Sequence, residues 1–103
     1  MFVLALACVP ALAVAKGNIE EGKKKAETCK ACHGEGGAKP VLPEYPILAG
    51  QHADYLAAAL NQYKSGKRKN ALMTGFSAAL SPQDIRDLAA YFASEKSPLR
   101  DKY

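Results

Sequence analysis

Residues 29–37 read CKACHGEGG, and this stretch decides how the rest of the 103-residue chain is interpreted. It contains two of the chain's three cysteines and one of its two histidines. Thiol and imidazole groups are common metal ligands and redox groups in proteins. Cys29, Cys32 and His33 therefore define a candidate cofactor, metal or redox site.

The pattern C-x-x-C-H is the attachment sequence of a c-type haem. In that chemistry the two thiols add across the vinyl groups of the porphyrin, and the adjacent imidazole ligates the iron. Two cysteines three positions apart lie on nearly one face of a helix, which matches two vinyl groups on one porphyrin edge. The pattern predicts one covalent haem c, with His33 as an iron ligand.

Two other kinds of site use the same three residues. A structural zinc site needs four ligands, usually from two separated pairs, and only His52 could complete this one, by folding back. A redox disulfide between Cys29 and Cys32 would follow a strand in a βαβ pattern, and the sequence shows no such pattern. Haem attachment is therefore the favoured prediction.

The composition limits what surrounds this site. A chain of 103 residues forms one small domain, whose core is marginal unless something else helps to fill it. With 23% charged and 49% hydrophobic residues, it is neither a disordered tail nor a coiled coil. The formal net charge of +4, with acidic residues interspersed, does not give the continuous basic surface of a nucleic-acid-binding protein. We expect a globular domain with no nucleic-acid partner.

Residues 1–15 read MFVLALACVPALAVA and carry no charged side chain. An apolar run that ends in Ala-Val-Ala is typical of a secretory signal peptide, cleaved here before Lys16. The run is shorter than the roughly 18 to 20 residues that span a bilayer, so we expect no membrane span in the mature chain. The basic residues that usually precede such a run are missing, which suggests a true start further upstream. Lipidation of Cys8 is a weaker alternative, because the preceding residues only partly match a lipoprotein cleavage site.

This leader divides the chain in two. We predict a signal peptide over residues 1–15 and a monohaem domain over residues 16–103, exported to the periplasm. The mature domain then keeps only Cys29 and Cys32, in an oxidising compartment.

The rest of the sequence predicts three helices and no convincing strand. The first covers residues 18–33 and begins at the capping residue Asn18. The second covers residues 51–66, and the third covers residues 81–96 after the N-cap Ser81. The apolar stripes of the second and third helices are Leu56, Ala59, Leu60 and Tyr63, and Ile85, Leu88, Ala89 and Phe92.

The linker 34–50 is too rich in glycine and proline for a helix or a central strand. So long a stretch without secondary structure suggests that it wraps around something. Met73 lies in a predicted loop between the second and third helices, and we expect it to be the sixth iron ligand, since electron carriers often pair a thioether with the histidine. His52 is the rival ligand, but an exposed histidine at the start of a helix needs no special explanation.

Three segments of the sequence resemble class I cytochromes c. They read GKKKAETCKACHG, YPILAGQHADYLAAALNQYKSGKRKNALM and LSPQDIRDLAAYFAS, and they are similar to the small bacterial cytochromes c553 and to the repeat unit of cytochrome c4. A cytochrome c4 has two such units and this chain has one, so it resembles the monohaem members. The resemblance implies an all-α class I cytochrome c fold, with three main helices and loops wrapped around one covalent haem.

The resemblance also implies specific contacts. In class I cytochromes a proline carbonyl in a P-x-L segment accepts a hydrogen bond from the haem-ligating histidine, and Pro46 and Leu48 fit that segment. The first and last helices of the family cross through a small residue and an aromatic one, which Gly22 and Tyr91 resemble. Ala26 departs from the many members that have an aromatic residue there. The predicted cofactor-binding residues are Cys29, Cys32, His33, Met73, Pro46 and Leu48, with His33 and Met73 as the metal ligands.

This ligand set implies outer-sphere electron transfer, with no catalytic residue. We expect a monomeric periplasmic carrier between respiratory complexes, with a bc1-type donor and a terminal oxidase or reductase as acceptor. A basic segment would attract acidic docking surfaces on these partners; it consists of Lys64, Lys67, Arg68 and Lys69. A second basic run, Lys23, Lys24 and Lys25, offers the same attraction near the first helix.

Two other functions stay open at this point. The chain would be the cytochrome subunit of a redox enzyme, such as a sulfide-oxidising flavocytochrome, if it is always bound to a flavoprotein. It would be a five-coordinate gas-binding or peroxidatic haem protein if Met73 does not ligate the iron.

Overall fold

The computed structural model describes residues 16–42 and 45–97. Within these ranges the chain forms five α-helices and no strand. The helices are α1 (Ile19–Lys25), α2 (Glu27–His33), α3 (Ala53–Ser65), α4 (Ala71–Ser77) and α5 (Pro82–Ser94), and a short 3₁₀ helix, Glu35–Gly37, follows α2. The all-α fold class is confirmed. The predicted signal peptide, residues 1–15, lies outside the described residues.

The first predicted helix is divided into α1 and α2 at Ala26. The side chain of Asn18 caps α1 by accepting a hydrogen bond from the backbone N–H of Glu21, as expected for an N-cap residue. The backbone N–H of Ala26 still bonds back to the carbonyl oxygen of Gly22, and Ala26 keeps a right-handed helical conformation. Ala26 itself is buried against the core, where its small side chain fits between elements.

Helix α1 crosses α5 at very short range. A Cβ atom on Gly22 would lie 2.0 Å from the backbone oxygen of Asp87 and 2.7 Å from Cβ of Tyr91. Only glycine allows two backbones to approach this closely. The crossing expected at Gly22 and Tyr91 is therefore confirmed, and it explains a glycine that weakens an isolated helix.

An ion pair to a buried carboxylate fixes the same crossing. The Nζ atom of Lys25 lies 2.6 Å from Oδ2 of Asp87 and 3.0 Å from Oδ1 of Asp84. Oδ1 of Asp87 also accepts hydrogen bonds from the backbone of Asn18 and from the side chain of Gln83. Burial disfavours the ionised form of Asp87, but these hydrogen bonds outweigh it and lower its pKa from 3.8 to about 2.

Helix α5 is the centre of the hydrophobic core. Ser81 and Asp84 form a reciprocal capping box at its start, with Pro82 at the first helical position. The whole predicted stripe of α5 is buried: Ile85, Leu88, Ala89 and Phe92. Leu56 of α3 is buried in the same cluster, and Leu60 packs against it. The core thus joins α3 and α5, on the side of the molecule where α2 brings Cys29.

Helix α4 replaces the loop that was predicted around Met73, so that prediction was wrong. The side chain of Asn70 accepts a hydrogen bond from the backbone N–H of Met73 and caps the helix. With only seven residues, α4 is too short to show a helical period in the sequence. Helix α4 packs on α3.

Among the described helices, none is both long enough and apolar enough to span a membrane.

Candidate haem site

Helix α2 carries the two cysteines and the histidine of the C-x-x-C-H pattern. Cys29 and Cys32 are free thiols, and both are partly buried. Burial, with a smaller contribution from Cys32, raises the pKa of the Cys29 thiol above its usual value.

The arrangement does not support a zinc site. Within residues 16–42 and 45–97, no group of three or more His, Cys, Asp or Glu side chains is placed to hold a metal ion. His52 precedes α3 as its N-cap residue and is exposed to solvent. The histidine that a zinc site would need as fourth ligand is therefore not brought to the C-x-x-C-H segment.

His33 is held in one orientation by the loop that follows it. Its side chain is buried, with 6% of its surface exposed, and its Nδ1 lies 2.9 Å from the carbonyl oxygen of Pro46. A carbonyl oxygen only accepts hydrogen bonds, so Nδ1 is the donor in this contact. The ring of Tyr45 packs beside the imidazole, with 6.0 Å between the ring centroids. With Nδ1 bound to Pro46, Nε2 is the ring nitrogen left to ligate a metal.

The Pro46 loop is itself fixed by backbone hydrogen bonds to the glycine-rich segment. The N–H groups of Leu48 and Ala49 donate to the carbonyl oxygen of Gly37, at 2.8 and 3.2 Å. The side chain of Gln51 donates to the carbonyl oxygen of Ile47 at 3.1 Å. These contacts hold the loop where the Pro46 carbonyl reaches His33.

Gly37 can make these contacts only because it has no side chain. Its φ angle is +74°, and a Cβ atom there would lie 2.8 Å from Cδ1 of Phe92 and 2.9 Å from Cβ of Leu48. Neither Gly37 nor Gln51 was among the predicted site residues. The signal that could have found them is the pairing of GEGG with LAGQ, two tight-turn segments that flank the proline loop.

Large apolar side chains are exposed beside both predicted iron ligands. Val41, whose N–H donates to the carbonyl oxygen of Cys32 at 2.9 Å, and its neighbour Leu42 are exposed near α2. On α4, Leu72 and Phe76 are exposed on either side of Met73 in the sequence, with 57% and 50% of their surfaces accessible.

Met73 and His33 lie on elements that are packed on different partners. Helix α4 packs on α3, whereas α2 packs on α1 and on the 3₁₀ helix, and α2 and α4 share no extensive contact among the described residues. Met73 is half-buried on α4.

The donor set fits a haem chemically. It combines two free thiols on one helix, an imidazole with one ring nitrogen left for a metal, and a thioether; these are Cys29, Cys32, His33 and Met73. Leu48 lies at the edge of the hydrophobic core and extends the apolar lining. Thioether attachment needs the thiols, and class I ligation needs the other two groups.

Comparison with known proteins identifies the family. The sequence model of the family described as "Cytochrome c" matches residues 19–96. The chain belongs to the cytochrome c family. Membership implies a covalently bound haem c.

Individual relatives agree with this assignment. Over 85 residues the chain is 48% identical to a cytochrome c4 of Pseudomonas aeruginosa, which covers 82% of this chain and 42% of that protein. It is 43% identical over 83 residues to cytochrome c-554(548) of Halomonas halodenitrificans, covering 78% of this chain and 99% of that protein. It is 38% identical over 95 residues to a thiosulfate dehydrogenase electron acceptor of Thiomonas intermedia, covering 91% of this chain and 44% of that protein.

A solved structure shows the same fold. The crystal structure of reduced recombinant cytochrome c4 from Pseudomonas stutzeri superposes with a TM-score of 0.74 at 41% identity, covering 79% of this chain and 47% of that one. The chain thus spans less than half the length of the cytochrome c4 relatives and nearly all of cytochrome c-554(548).

Proposed function

We propose that this cytochrome is a monohaem electron carrier and not an enzyme. Cys29 and Cys32 would hold one haem c through thioether bonds, with His33 and Met73 as the axial ligands. The observation that carries this proposal is the hydrogen bond from His33 Nδ1 to the Pro46 carbonyl oxygen, because it frees Nε2 for iron and fixes the plane of the ring.

The bound haem supplies a one-electron Fe(III)/Fe(II) couple, and the protein determines how readily it is reduced. The Pro46 carbonyl makes His33 a stronger donor by polarising its N–H bond. The apolar side chains around the site keep out water and disfavour the extra positive charge of the ferric state. The Met73 thioether would favour Fe(II) and would occupy the remaining coordination position, which would exclude O₂ and peroxide from the iron.

Electrons would be exchanged with acidic redox proteins near the basic segment between α3 and α4. The structure divides the four predicted residues of that segment into two kinds. Lys64 donates a hydrogen bond to the carbonyl group of Leu80, and the guanidinium group of Arg68 lies 5.2 Å from the centre of the Tyr63 ring. Lys67 and Lys69 are exposed, and they are the charges best placed to attract a partner.

The second basic run divides in the same way. Lys25 is committed to Asp84 and Asp87, so it serves the α1–α5 crossing. Lys23 and Lys24 are exposed, and Lys24 lies 3.4 Å from Glu21 in a surface ion pair, which contributes little to stability.

The cellular role that best suits such a carrier is respiratory electron transfer in the periplasm, after export directed by residues 1–15. The donor would be a bc1-type complex and the acceptor a terminal oxidase or reductase. A second role is favoured by one relative, which is named as the electron acceptor of thiosulfate dehydrogenase. In that role the chain would take electrons from a periplasmic dehydrogenase as its dedicated acceptor, as predicted for a subunit of a redox enzyme.

The attachment part of the proposal is tested by expression in a host that matures c-type cytochromes. Denatured wild-type protein should retain one haem per chain, measured by mass spectrometry. The variant with both Cys29→Ala and Cys32→Ala should retain none, and it should lose most of its helical circular dichroism, because haem is the largest apolar element of so small a core. Native-like helicity in this variant would contradict the folding argument, and two haems per chain would contradict the monohaem assignment.

The ligation part is tested by spectroscopy of the ferric protein. Methionine ligation gives a weak far-red charge-transfer band from sulfur to iron. Met73→Ala should abolish that band, lower the reduction potential and let carbon monoxide bind the ferrous protein. His52→Ala is the matched control and should leave all three properties unchanged. If His52→Ala opens the iron and Met73→Ala is silent, the axial assignment is wrong.

A further inference from the structure

Ser77 is the deepest residue of α4, and its hydroxyl group lacks a hydrogen-bond partner. Its exposed fraction is 0%, and no acceptor or donor among the described residues lies within hydrogen-bond distance of its Oγ. Serines inside helices often donate to the carbonyl group four residues earlier, and Ser77 does not. A buried hydroxyl without a partner reduces the stability of the fold. Its presence at this position therefore needs an explanation.

Met73 lies four residues before Ser77 on α4 and carries the thioether proposed as the sixth iron ligand. Residues four apart in a helix lie one turn apart on the same face. Side chains also lean toward the N-terminus of a helix, so the hydroxyl of Ser77 leans toward the turn that carries Met73. Ser77 is fully buried and Met73 is half-buried, as is Thr74, so this side of α4 faces inward. Leu72 and Phe76 are exposed.

The chemistry of the pair is complementary. A serine hydroxyl rotates about its Cβ–Oγ bond and is free to choose an acceptor, and a thioether sulfur is a weak acceptor. The long side chain of Met73 has several rotatable bonds, so its sulfur is able to meet the hydroxyl as well as the iron. The Ser77 hydroxyl is thus a hydrogen-bond donor without a partner. The Met73 sulfur, one helical turn away, is an acceptor that would act on the iron as its ligand.

We propose that Ser77 is a positioning residue for Met73, and that its Oγ donates a hydrogen bond to the Met73 sulfur when that sulfur ligates the haem iron. This inference rests on the ligation of Met73 proposed above. The hydrogen bond withdraws electron density from the sulfur and so weakens its donation to Fe(III) more than to Fe(II). It also limits the rotamers of the methionine. Ser77 therefore raises the reduction potential of the cytochrome and holds its sixth ligand in place.

The test compares hydroxyl deletions at two positions of α4 in the haem-loaded protein. Ser77→Ala should lower the reduction potential while keeping the far-red methionine band, because the ligand stays and only its hydrogen bond is lost. Ser77→Thr keeps the hydroxyl group and should return the potential toward the wild-type value. Thr74→Ala removes the hydroxyl group adjacent to Met73 in the sequence, about 100° around the helix from it, and should leave the potential unchanged.

A different pattern would overturn the proposal. If Ser77 is only an unsatisfied buried group, Ser77→Ala will leave the potential where it is and raise the denaturant midpoint, since a cost of folding has been removed. Equal changes of potential in Ser77→Ala and Thr74→Ala would also overturn it. Ser77→Cys, whose thiol is a weaker donor, supplies an intermediate potential if the threonine proves too large for the site. A wild-type protein without the methionine band would refute Met73 ligation itself, which is a separate and earlier failure.

Discussion

The Nζ atom of Lys25 lies 2.6 Å from Oδ2 of Asp87, and this contact joins the end of α1 to a carboxylate that is 2% exposed in α5. A buried carboxylate with this many partners is more acidic than in the unfolded chain, and its pKa falls from 3.8 to about 2. The ionised form of Asp87 therefore stabilises the fold above the unfolded pKa, and this stabilisation is lost as the pH falls through the range between the two values. At about 1.4 kcal/mol per pKa unit, the contribution at neutral pH is about 2 kcal/mol.

The first prediction is that Asp87→Asn lowers the free energy of unfolding at pH 7 by about 2–4 kcal/mol, because it leaves the charge of Lys25 without its closest partner. The loss should shrink between about pH 4 and pH 2, where the wild-type carboxylate also becomes protonated. Chemical denaturation of the haem-loaded proteins at several pH values measures both effects. Glu21→Gln is the control, since it removes only the surface partner of Lys24. A loss that is the same at every pH would show that packing, not charge, is responsible.

The second prediction concerns the glycine at the α1–α5 crossing. Gly22→Ala should destabilise the protein by about 1–3 kcal/mol or more, because the new Cβ atom would meet the backbone oxygen of Asp87 at 2.0 Å and the helices must move apart. Gly75→Ala is a matched change in α4, where no atom lies within 4 Å of the added carbon. It should stabilise the protein by roughly 0.5–1 kcal/mol, because alanine is the better helix former. Thermal unfolding followed at a helical wavelength distinguishes the two, and equal effects would contradict the close crossing.

The third prediction concerns the glycine that supports the Pro46 loop. Gly37→Ala adds a carbon 2.8 Å from Phe92 in a left-handed conformation, so the loop must shift and its carbonyl group should move away from His33. We expect a lower yield of haem-loaded protein and a higher reduction potential, because His33 without the Pro46 hydrogen bond becomes a weaker donor to Fe(III). Gly66→Ala is the control, because Gly66 has a φ of +85° but nothing within 4 Å of an added carbon. It should cost about 1–2 kcal/mol of backbone strain and leave the potential unchanged. If the reduction potential changes in both variants, backbone strain and not the position of the Pro46 carbonyl group is responsible.

Sequence patterns found the elements that are regular and missed those that are short or depend on distant partners. Helix α5 was predictable because Ser81 and Pro82 mark its start and its apolar stripe repeats over thirteen residues. Helix α4 was not, because seven residues give less than two full repeats, and its cap Asn70 follows an ordinary charged run.

The residues of the candidate site likewise divide into those that the sequence predicted and those that it missed. C-x-x-C-H was recognised from local spacing alone, and Pro46 from a family resemblance. Gly37 acts through contacts with Leu48 and Phe92, which are far away in the sequence, so nothing local revealed it. The division of the basic segment into committed and exposed charges likewise required the positions of Leu80 and Tyr63.

The last prediction tests whether Lys67 and Lys69 form a docking surface. Changing both to Glu should slow electron transfer from an acidic redox protein, because the charges that attract the partner near the haem would repel it. Changing Lys23 and Lys24 to Glu gives the same net charge, since either pair of changes takes the formal charge from +4 to 0. Lys25 is left intact in this control because it holds Asp87, and its loss would confuse docking with stability.

The second-order rate of reduction by flavodoxin hydroquinone, followed by stopped-flow absorbance, measures the effect. We expect the Lys67 and Lys69 variant to lose much more rate than the control while both keep the wild-type reduction potential. The wild-type rate should also fall with added salt, as the Debye length shrinks from about 30 Å at 0.01 M to about 10 Å at 0.1 M. Equal losses in the two variants would show attraction by net charge alone, and a wild-type rate that ignores salt would show that these lysines are only solvated surface residues.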